Sequence, residues 1–514
     1  MENIFAGQNP NKKDKSKLRI VKPIYLKNSA FAYDLWEFKK NKKEEYELSS
    51  LYYEGMRVFI NSKGFYKKQL TNDNHIYIKE IDNVIEEVTP EFINDLVRGY
   101  VESIGDIKFK YYNEDFSIPH SALKNTYLKQ HQNIVNNKWL TNIQIHSKPI
   151  LKDTETSSFF VFNNCYVEVT KEGITKKNIE ELKGYCVWKD QIKPYDFNYK
   201  NDTKGEYEKF INNVCNNDDQ RFKAFRSAIG YLLHDYFNPT KGQAVLFYDE
   251  ALTTSDKPNG GTGKGATVNG LKILRPTAKI DGKNYKSDDK FKWSNVTPST
   301  QIVWIDETNK NFQFNDMFSC LTDGWQIERK HQNKFDIPPE ESPKVVICSN
   351  VILENKGTSN KRRQFIIEFS DYYSKRIVNG TETPIADEHG ILFSKDWSVN
   401  EWNLFFSFMF DCLKLYLKEG LIEYQSINVD LNLLKQQTCD EFIEYITNNP
   451  PPLNTRIEIK NLFEPFKSSY LGEDSNFKQR TFTNWLDKYC AVKNLMRVKV
   501  SDYNGNPIYE LVTK

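Results

Sequence analysis

The residues best suited to chemistry lie in the stretch Asp256-Lys257-Pro258-Asn259-Gly260-Gly261-Thr262-Gly263-Lys264-Gly265-Ala266-Thr267. Glycines let successive backbone N–H groups curl around phosphate oxygens, and a lysine in such a loop can reach the β and γ phosphates. The apolar run 243–248 before the loop predicts a buried strand. From Lys264 to about Leu274 the chain can continue as a helix, whose N-terminus favours an anion. Strand, glycine-rich loop, lysine and helix are the order a phosphate-binding loop needs, with Asn259, Gly260, Gly261, Thr262, Gly263, Lys264, Gly265 and Ala266 as the contacting residues. Two positions depart from the usual pattern. Pro258 stands where the first glycine would be, and Gly265 stands where Ser or Thr normally holds Mg2+. A glycine-rich surface turn with an incidental lysine would look the same alone, so the downstream residues must decide.

Residues 300–307 read as a buried strand ending in Asp306 and Glu307, the Walker B arrangement. Asp306 can hold Mg2+ directly or through water, and Glu307 can orient and polarise an attacking water. A second buried strand, 343–350, ends in Asn350, whose amide can sense a γ-phosphate. Beyond it Arg362 and Arg363 lead into another apolar strand. Either suits an arginine finger that stabilises transition-state charge at a neighbouring subunit's nucleotide. Residues 324–337 read as a hairpin with Arg329, Lys330, His331 and Lys334 at a basic centre, able to grip successive phosphates of a single strand.

In this order the motifs resemble those of superfamily 3 helicases, which include papillomavirus and parvovirus replicative helicases and the primase-helicases of poxviruses, phages and plasmids. The run Gln326-Ile327-Glu328-Arg329-Lys330-His331 is similar to the pre-sensor hairpin of the papillomavirus enzymes. The Asn259–Gly265 form is more like phage and mobile-element primase-helicases of bacteria. The resemblance is strong over 256–370 and moderate over 160–400. It implies an α/β fold with an AAA+-like P-loop ATPase core, ATP and Mg2+ as cofactors, and a ring, usually a homo-hexamer, moving 3′-to-5′ on single-stranded DNA. Single-stranded and forked DNA are then the partners, with a primase or other replication proteins beside them. By position Lys264 matches the Walker A lysine, Asp306 and Glu307 the Walker B acids, Asn350 the sensor, Lys330 and His331 the DNA grip, and Arg362 or Arg363 the finger. Without a hydroxyl at Gly265, Mg2+ must rely on Asp306, phosphates and waters, or on Thr262 or Thr267. The implied function is an ATP-dependent DNA helicase in the replication of a phage or mobile element. Two alternatives stand beside it: an AAA+ ATPase of remodelling, packaging or defence, and a DNA-binding scaffold without hydrolysis.

The rest of the chain must position these groups. Its 514 residues suffice for about three domains. We divide it into an N-terminal α+β region (1–150), a helical collar-like region (151–240), the ATPase core (241–425) and a winged-helix-like module (430–514). A net charge of +2 excludes global polybasic character, so any nucleic-acid site must be a local patch. No apolar run is long enough to span a membrane. Residues 1–22 lack a signal peptide's apolar core, and the eight cysteines include no Cys-x-x-Cys pair. We therefore expect an intracellular, cytoplasmic protein with reduced thiols and no zinc site.

Residues 1–20 read as disordered, and the charge run 39–45 as a solvated helix face. Segments 57–66 and 76–84 look β-like, and Thr89-Pro90-Glu91 predicts a helix start. A hairpin follows over 158–170, then helices over 205–214 and 219–236. His120, His131 and His146 are too dispersed to suggest ligands and read as surface or core histidines, and Asp153, Asp190, Asp196, Asp218 and Asp219 have no metal-site context. The aromatic-rich helix 397–421 is expected to lie on the core as a lid, followed by a linker at 426–430. Helices over 440–447, 460–470 and 479–489, then strands around Asn504-Gly505, predict three helices and a β-wing. The face of Lys478, Arg480, Thr483, Asn484 and Lys488 would meet DNA or a protein.

Overall fold

The computed structural model describes residues 35–43, 45–70, 74–111, 114–250, 261–309, 312–330, 334–353, 358–472, 475–501 and 507–513. The chain divides into two units, residues 1–150 with 183–189, and residues 151–182 with 190–514. The expected disorder of 1–20 falls outside the described residues.

In the first unit the described residues of the charge run, 39–43 and 45, belong to a hairpin and not to a helix. β1 (Trp36–Lys40) and β2 (Tyr46–Leu51) pair antiparallel. The Asn41 carboxamide oxygen accepts the backbone N–H of Lys43 and Glu45 at 2.8 and 3.0 Å. A side chain that satisfies turn amides favours reversal over helix. Residues 57–62 also depart from expectation, forming the end of helix α1 (Tyr53–Ser62). Met56, Phe59 and Ile60 fall on one helical face and are fully buried, which outweighs a local β preference. Then β3 (Phe65–Gln69), β4 (His75–Ile81) and β5 (Val84–Val88) form an antiparallel meander, extended by Val187–Trp188 parallel to β5. Thr89 caps α2 (Pro90–Ser103) by accepting the Phe92 N–H, as its sequence predicts. Hairpin strands β6 (Ile107–Tyr111) and β7 (Glu114–Ile118) lead into α3 (His120–Ile134) and α4 (Asn137–Leu140). The core of this unit joins Met56, Phe59, Phe65, Ile93, Val97 and Tyr127.

The second unit begins with β8 (Ser157–Phe162), β9 (Tyr166–Thr170) and β10 (Ile174–Lys177). Val187–Trp188 counts as β11, and β12 (Ile192–Lys193) pairs parallel with β8. Helices α5 (Glu206–Val214) and α6 (Asp219–Leu233) precede five strands. These are β13 (Ala244–Asp249), β14 (Thr277–Asp281), β15 (Ile302–Thr308), β18 (Lys344–Ser349) and β19 (Gln364–Phe369), with α7 (Lys264–Leu274) after β13. Helix α8 (Phe318–Thr322) and the short pair β16 (Trp325–Ile327) and β17 (Phe335–Ile337) come between β15 and β18, and α9 (Thr358–Lys361) between β18 and β19. The five strands form one parallel sheet, ordered β14-β15-β18-β13-β19. Every residue of β13 and β18 is buried, which explains their near-continuous apolar runs.

After the sheet come α10 (Tyr372–Val378), α11 (Pro384–His389) and α12 (Val399–Glu419). The expected lid, α12, is a core helix. Phe405, Phe406, Met409, Phe410 and Leu413 are at most 1% exposed and share one cluster with Phe225, Phe247 and Phe369. Gly230 of α6 permits this packing, because a Cβ there would lie 2.2 Å from the Cys412 carbonyl oxygen. The stretch expected as a linker runs into helix α13 (Val429–Gln437). Helices α14 (Asp440–Asn448), α15 (Ile459–Phe466) and α16 (Gln479–Val492) then enclose Phe442, Phe466, Phe482 and Leu486. Strands β20 (Leu495–Ser501) and β21 (Pro507–Thr513) form an antiparallel hairpin, which Ile457 joins through a bridge to Tyr509. Among the described residues no helix is long and apolar enough to cross a membrane.

Candidate nucleotide-binding site

Because all five strands run parallel, their C-terminal ends share one edge, where open α/β sheets place ligands. β13 ends there at Asp249, β15 at Asp306-Glu307-Thr308, and β18, lying between them, at Ser349 followed by Asn350. The strand–loop–helix order around Lys264 and the strand ending in two acids are thus brought to one edge.

The glycine loop re-enters the described residues at Gly261; Asn259 and Gly260 lie outside them. Gly261 and Gly263 have φ of 93° and 104°, a left-handed backbone that side-chain-bearing residues rarely adopt. A Cβ on Gly263 would also lie 2.8 Å from the Phe210 ring, and one on Gly261 would meet Ile377 of α10. Gly263 is the N-cap of α7 and supplies no side chain to its first-turn amides, which are therefore available to an anion. Lys264 is 12% exposed and Asp249 7%. The ammonium lies 2.5 Å from both Asp249 carboxylate oxygens, and the Thr262 hydroxyl donates to Oδ1 at 2.6 Å. The lysine is thus paired to a carboxylate of its own chain.

Gly265 and Ala266 occupy the first turn of α7, and a Cβ on Gly265 would meet nothing within 4 Å. The space of a Ser or Thr side chain is open at this position. Neither neighbouring threonine is turned to fill it. Thr267 is fully buried and donates its hydroxyl to the Gly263 carbonyl at 3.1 Å, while Thr262 is held by Asp249.

The two acids of β15 sit on an irregularity. Ile305 pairs with Ile347 and Thr308 with Ser349, so β15 carries one residue more than β18 across this interval. Glu307 takes a φ of 53° within this bulge. A bulge re-aims side chains that would otherwise alternate, and a non-glycine left-handed residue costs about 1–3 kcal/mol. Each acid is paired with a lysine: Lys279 Nζ lies 2.7 Å from Asp306 Oδ2 and over the Trp304 ring, and Lys283 pairs with Glu307. On β18 the Cys348 thiol, pushed up to about 12 by burial, feels the charges of Asp306, Lys264 and Asp249 together. Half-buried Asn350 follows on the same edge.

The remaining residues lie elsewhere. The Arg363 carbonyl accepts the Ala244 N–H, which places both arginines at the start of β19 and β13, six strand residues or about 20 Å from the acidic edge. Arg363 stacks on Phe318 at 4.5 Å and donates to the Ser359 carbonyl, whereas Arg362 is exposed. The basic hairpin forms as β16 and β17. Arg329 turns inward, donating to the Val296 carbonyl at 2.8 Å and covering Phe335, while Lys330 and Lys334 are exposed. His331 lies outside the described residues. In the C-terminal module Lys478, Arg480 and Asn484 are exposed, but Lys488 donates to the Gln437 carbonyl of α13.

No family model and no curated protein matches this sequence. Among solved structures, the chain is similar to the apo NrS-1 C-terminal region, residues 305–718, at 14% identity and a TM-score of 0.41. That match covers 89% of this chain and 98% of the other. A second apo form of the NrS-1 C-terminal region matches at 12% identity and a TM-score of 0.40, with the same coverage. Similarity at this level assigns no chemistry to individual residues. Asp249, Lys279 and Lys283 are site members that the sequence reading misses. Their partnerships depend on strand order and pairing, and the only local signal is an acid closing the apolar run of β13.

Proposed function

We propose that this chain is an ATP-dependent DNA helicase, a superfamily 3-like ATP hydrolase working as a ring on single-stranded DNA in the replication of a phage or mobile element. The observation that carries the reading is the bulge of β15, which sets Asp306 and strained Glu307 on the sheet edge shared with Lys264. Left-handed glycines that leave no room for a Cβ, free first-turn amides and a half-buried lysine fit a polyphosphate. A bound ATP–Mg2+ would supply the phosphoanhydride and neutralise charge at its oxygens. In this reading Lys264, now paired with Asp249, would hold phosphate oxygens, and Asp306, now paired with Lys279, would hold the metal. Glu307 orients the attacking water and Asn350 senses the terminal phosphate. Asn259 to Ala266 form the cradle. Arg362 is the better-placed finger, since it is exposed at the opposite edge and Arg363 is stacked. Lys330, Lys334 and His331 grip single-stranded DNA, with Arg329 bracing their hairpin. The C-terminal helices and hairpin act as a winged-helix module.

The test is hydrolysis with and without single-stranded DNA. Turnover should rise severalfold with DNA, and Lys330→Ala with His331→Ala should erase that rise while leaving basal turnover. Glu307→Gln should stop hydrolysis and retain nucleotide binding. Hydrolysis indifferent to DNA would favour a remodelling, packaging or defence ATPase. Complete absence of hydrolysis would favour the scaffold reading, which the missing hydroxyl at Gly265 motivates.

A further inference from the structure

The first unit brings together three side chains far apart in sequence: Glu80 on β4, His146 and Cys186. Their donor atoms all lie within 4.8 Å of one another. His146 Nε2 is 3.2 Å from Glu80 Oε2 and 3.5 Å from Cys186 Sγ. In a tetrahedral site with bonds of about 2.0–2.3 Å, neighbouring ligand atoms are roughly 3.3–3.7 Å apart. We infer that Glu80, His146 and Cys186 form a binding site for one divalent metal ion of the zinc class, with a fourth position open.

Backbone ladders hold each donor in place. The Glu80 N–H donates to the Gly64 carbonyl at 2.7 Å, the His146 N–H to Lys67 at 2.8 Å, and the Cys186 N–H to Pro149 at 2.8 Å. Gly64, at a φ of 82°, allows the first of these approaches, because a Cβ there would lie 2.3 Å from the Glu80 carbonyl oxygen. The His146 side chain is 2% exposed, and its Nδ1 has no hydrogen-bond partner among the described residues. The ring is thus oriented by Nε2 toward the carboxylate and thiol, with the edge of Tyr66 against it. Nε2 faces the Glu80 carboxylate as a donor in the metal-free chain; the ion takes the proton's place there, and the ring proton passes to Nδ1. Lys148 binds the other Glu80 oxygen and Asn83, an outer contact that fixes the carboxylate. Thiolate, imidazole and carboxylate together suit Zn2+ and exclude a hard-ion preference for oxygen alone. Binding expels the Cys186 thiol proton to solvent. The ion would tie β4 to the segments that carry His146 and Cys186.

The test uses the full chain stripped with a chelator and titrated with Co2+, then Zn2+. One equivalent of Co2+ should produce a thiolate-to-cobalt absorption band, which Zn2+ abolishes. Cys186→Ser should lose the band, and Glu80→Gln should keep it with affinity at least about tenfold weaker. Zn2+ should raise the thermal midpoint of the wild-type chain and leave that of Cys186→Ser unmoved. Should Cys186→Ser fail to fold, Glu80→Gln carries the comparison. No band in excess Co2+, a band that survives in folded Cys186→Ser, or a Co2+ affinity unaltered by Glu80→Gln overturns the site.

Discussion

Lys264 and Asp249 set the electrostatics of the loop at the residue scale. Breaking a buried pair by removing one partner costs about 3–5 kcal/mol, less where one side keeps some exposure, as Lys264 does. Asp249→Asn should therefore destabilise the empty chain, and ATP should restore it. The expected result is a larger rise in thermal midpoint on adding ATP than wild type gives, with tighter nucleotide binding. Gly265→Ser makes the opposite kind of change. Nothing within 4 Å obstructs the new side chain, and serine exceeds glycine in helix propensity by about 0.5 kcal/mol. Its urea midpoint should hold or rise slightly, and the Mg2+ concentration for half-maximal turnover should fall severalfold. The positions of Asp306, Glu307 and Asn350 are legible in sequence, because an apolar run ending in polar residues marks a buried strand reaching a sheet edge, and Lys264 is legible from the glycines before it. Asp249 as the partner of Lys264 is not legible, since that pairing depends on how the loop folds back.

Elements were legible to the extent that one local pattern dominated. β13, β15, β18 and β19 are nearly continuous apolar runs, whereas β14 offers only Ala278 and Ile280 and passes unnoticed. Residues 57–62 contain strand-favouring types, yet the spacing of Met56, Phe59 and Ile60 selects a helix once there is a core to face. The end of α6 carries a testable charge. His234 is buried, its Nε2–H donates to the Thr154 carbonyl at 2.8 Å, and burial lowers it to about 4 from 6.5. Between these values the unfolded imidazole binds a proton that the folded one refuses, so its contribution is present above 6.5 and is lost as pH falls toward 4. Asp235, raised to about 6 by burial, acts in the opposite sense, and Asp153, Arg275 and Lys344 share its surroundings. Comparison with His234→Gln isolates the effect. The stability difference between wild type and variant should shrink by about 3 kcal/mol from pH 7 to pH 4, read from urea midpoints.

At the scale of the whole molecule, the sheet separates the groups assigned to one reaction. Acids and lysine occupy one edge, and Arg362 the other. In the proposed ring, one chain's arginine completes another's site. Arg362→Ala and Lys264→Ala chains, each inactive alone, should therefore recover part of the turnover when mixed, because the interface between them pairs an intact lysine with an intact arginine. Arg363→Ala should instead lower stability by about 1 kcal/mol through loss of the Phe318 stack, with a smaller effect on turnover. The meeting of Glu80, His146 and Cys186 was not readable in advance. Those three residues converge only after β4 and two distant segments join one set of ladders.

The Asp249 carboxylate has one more consequence for the proposed cycle. Tethered beside the lysine, it acts as an intramolecular competitor at an effective concentration on the order of millimolar or more. A ligand holding the ammonium with a single phosphate contests that competitor on poor terms, whereas a polyphosphate that also engages the loop amides can displace it. The empty site is then self-occluded against inorganic phosphate. Orthophosphate left by hydrolysis would meet a lysine that has already closed on its own chain, which disfavours rebinding.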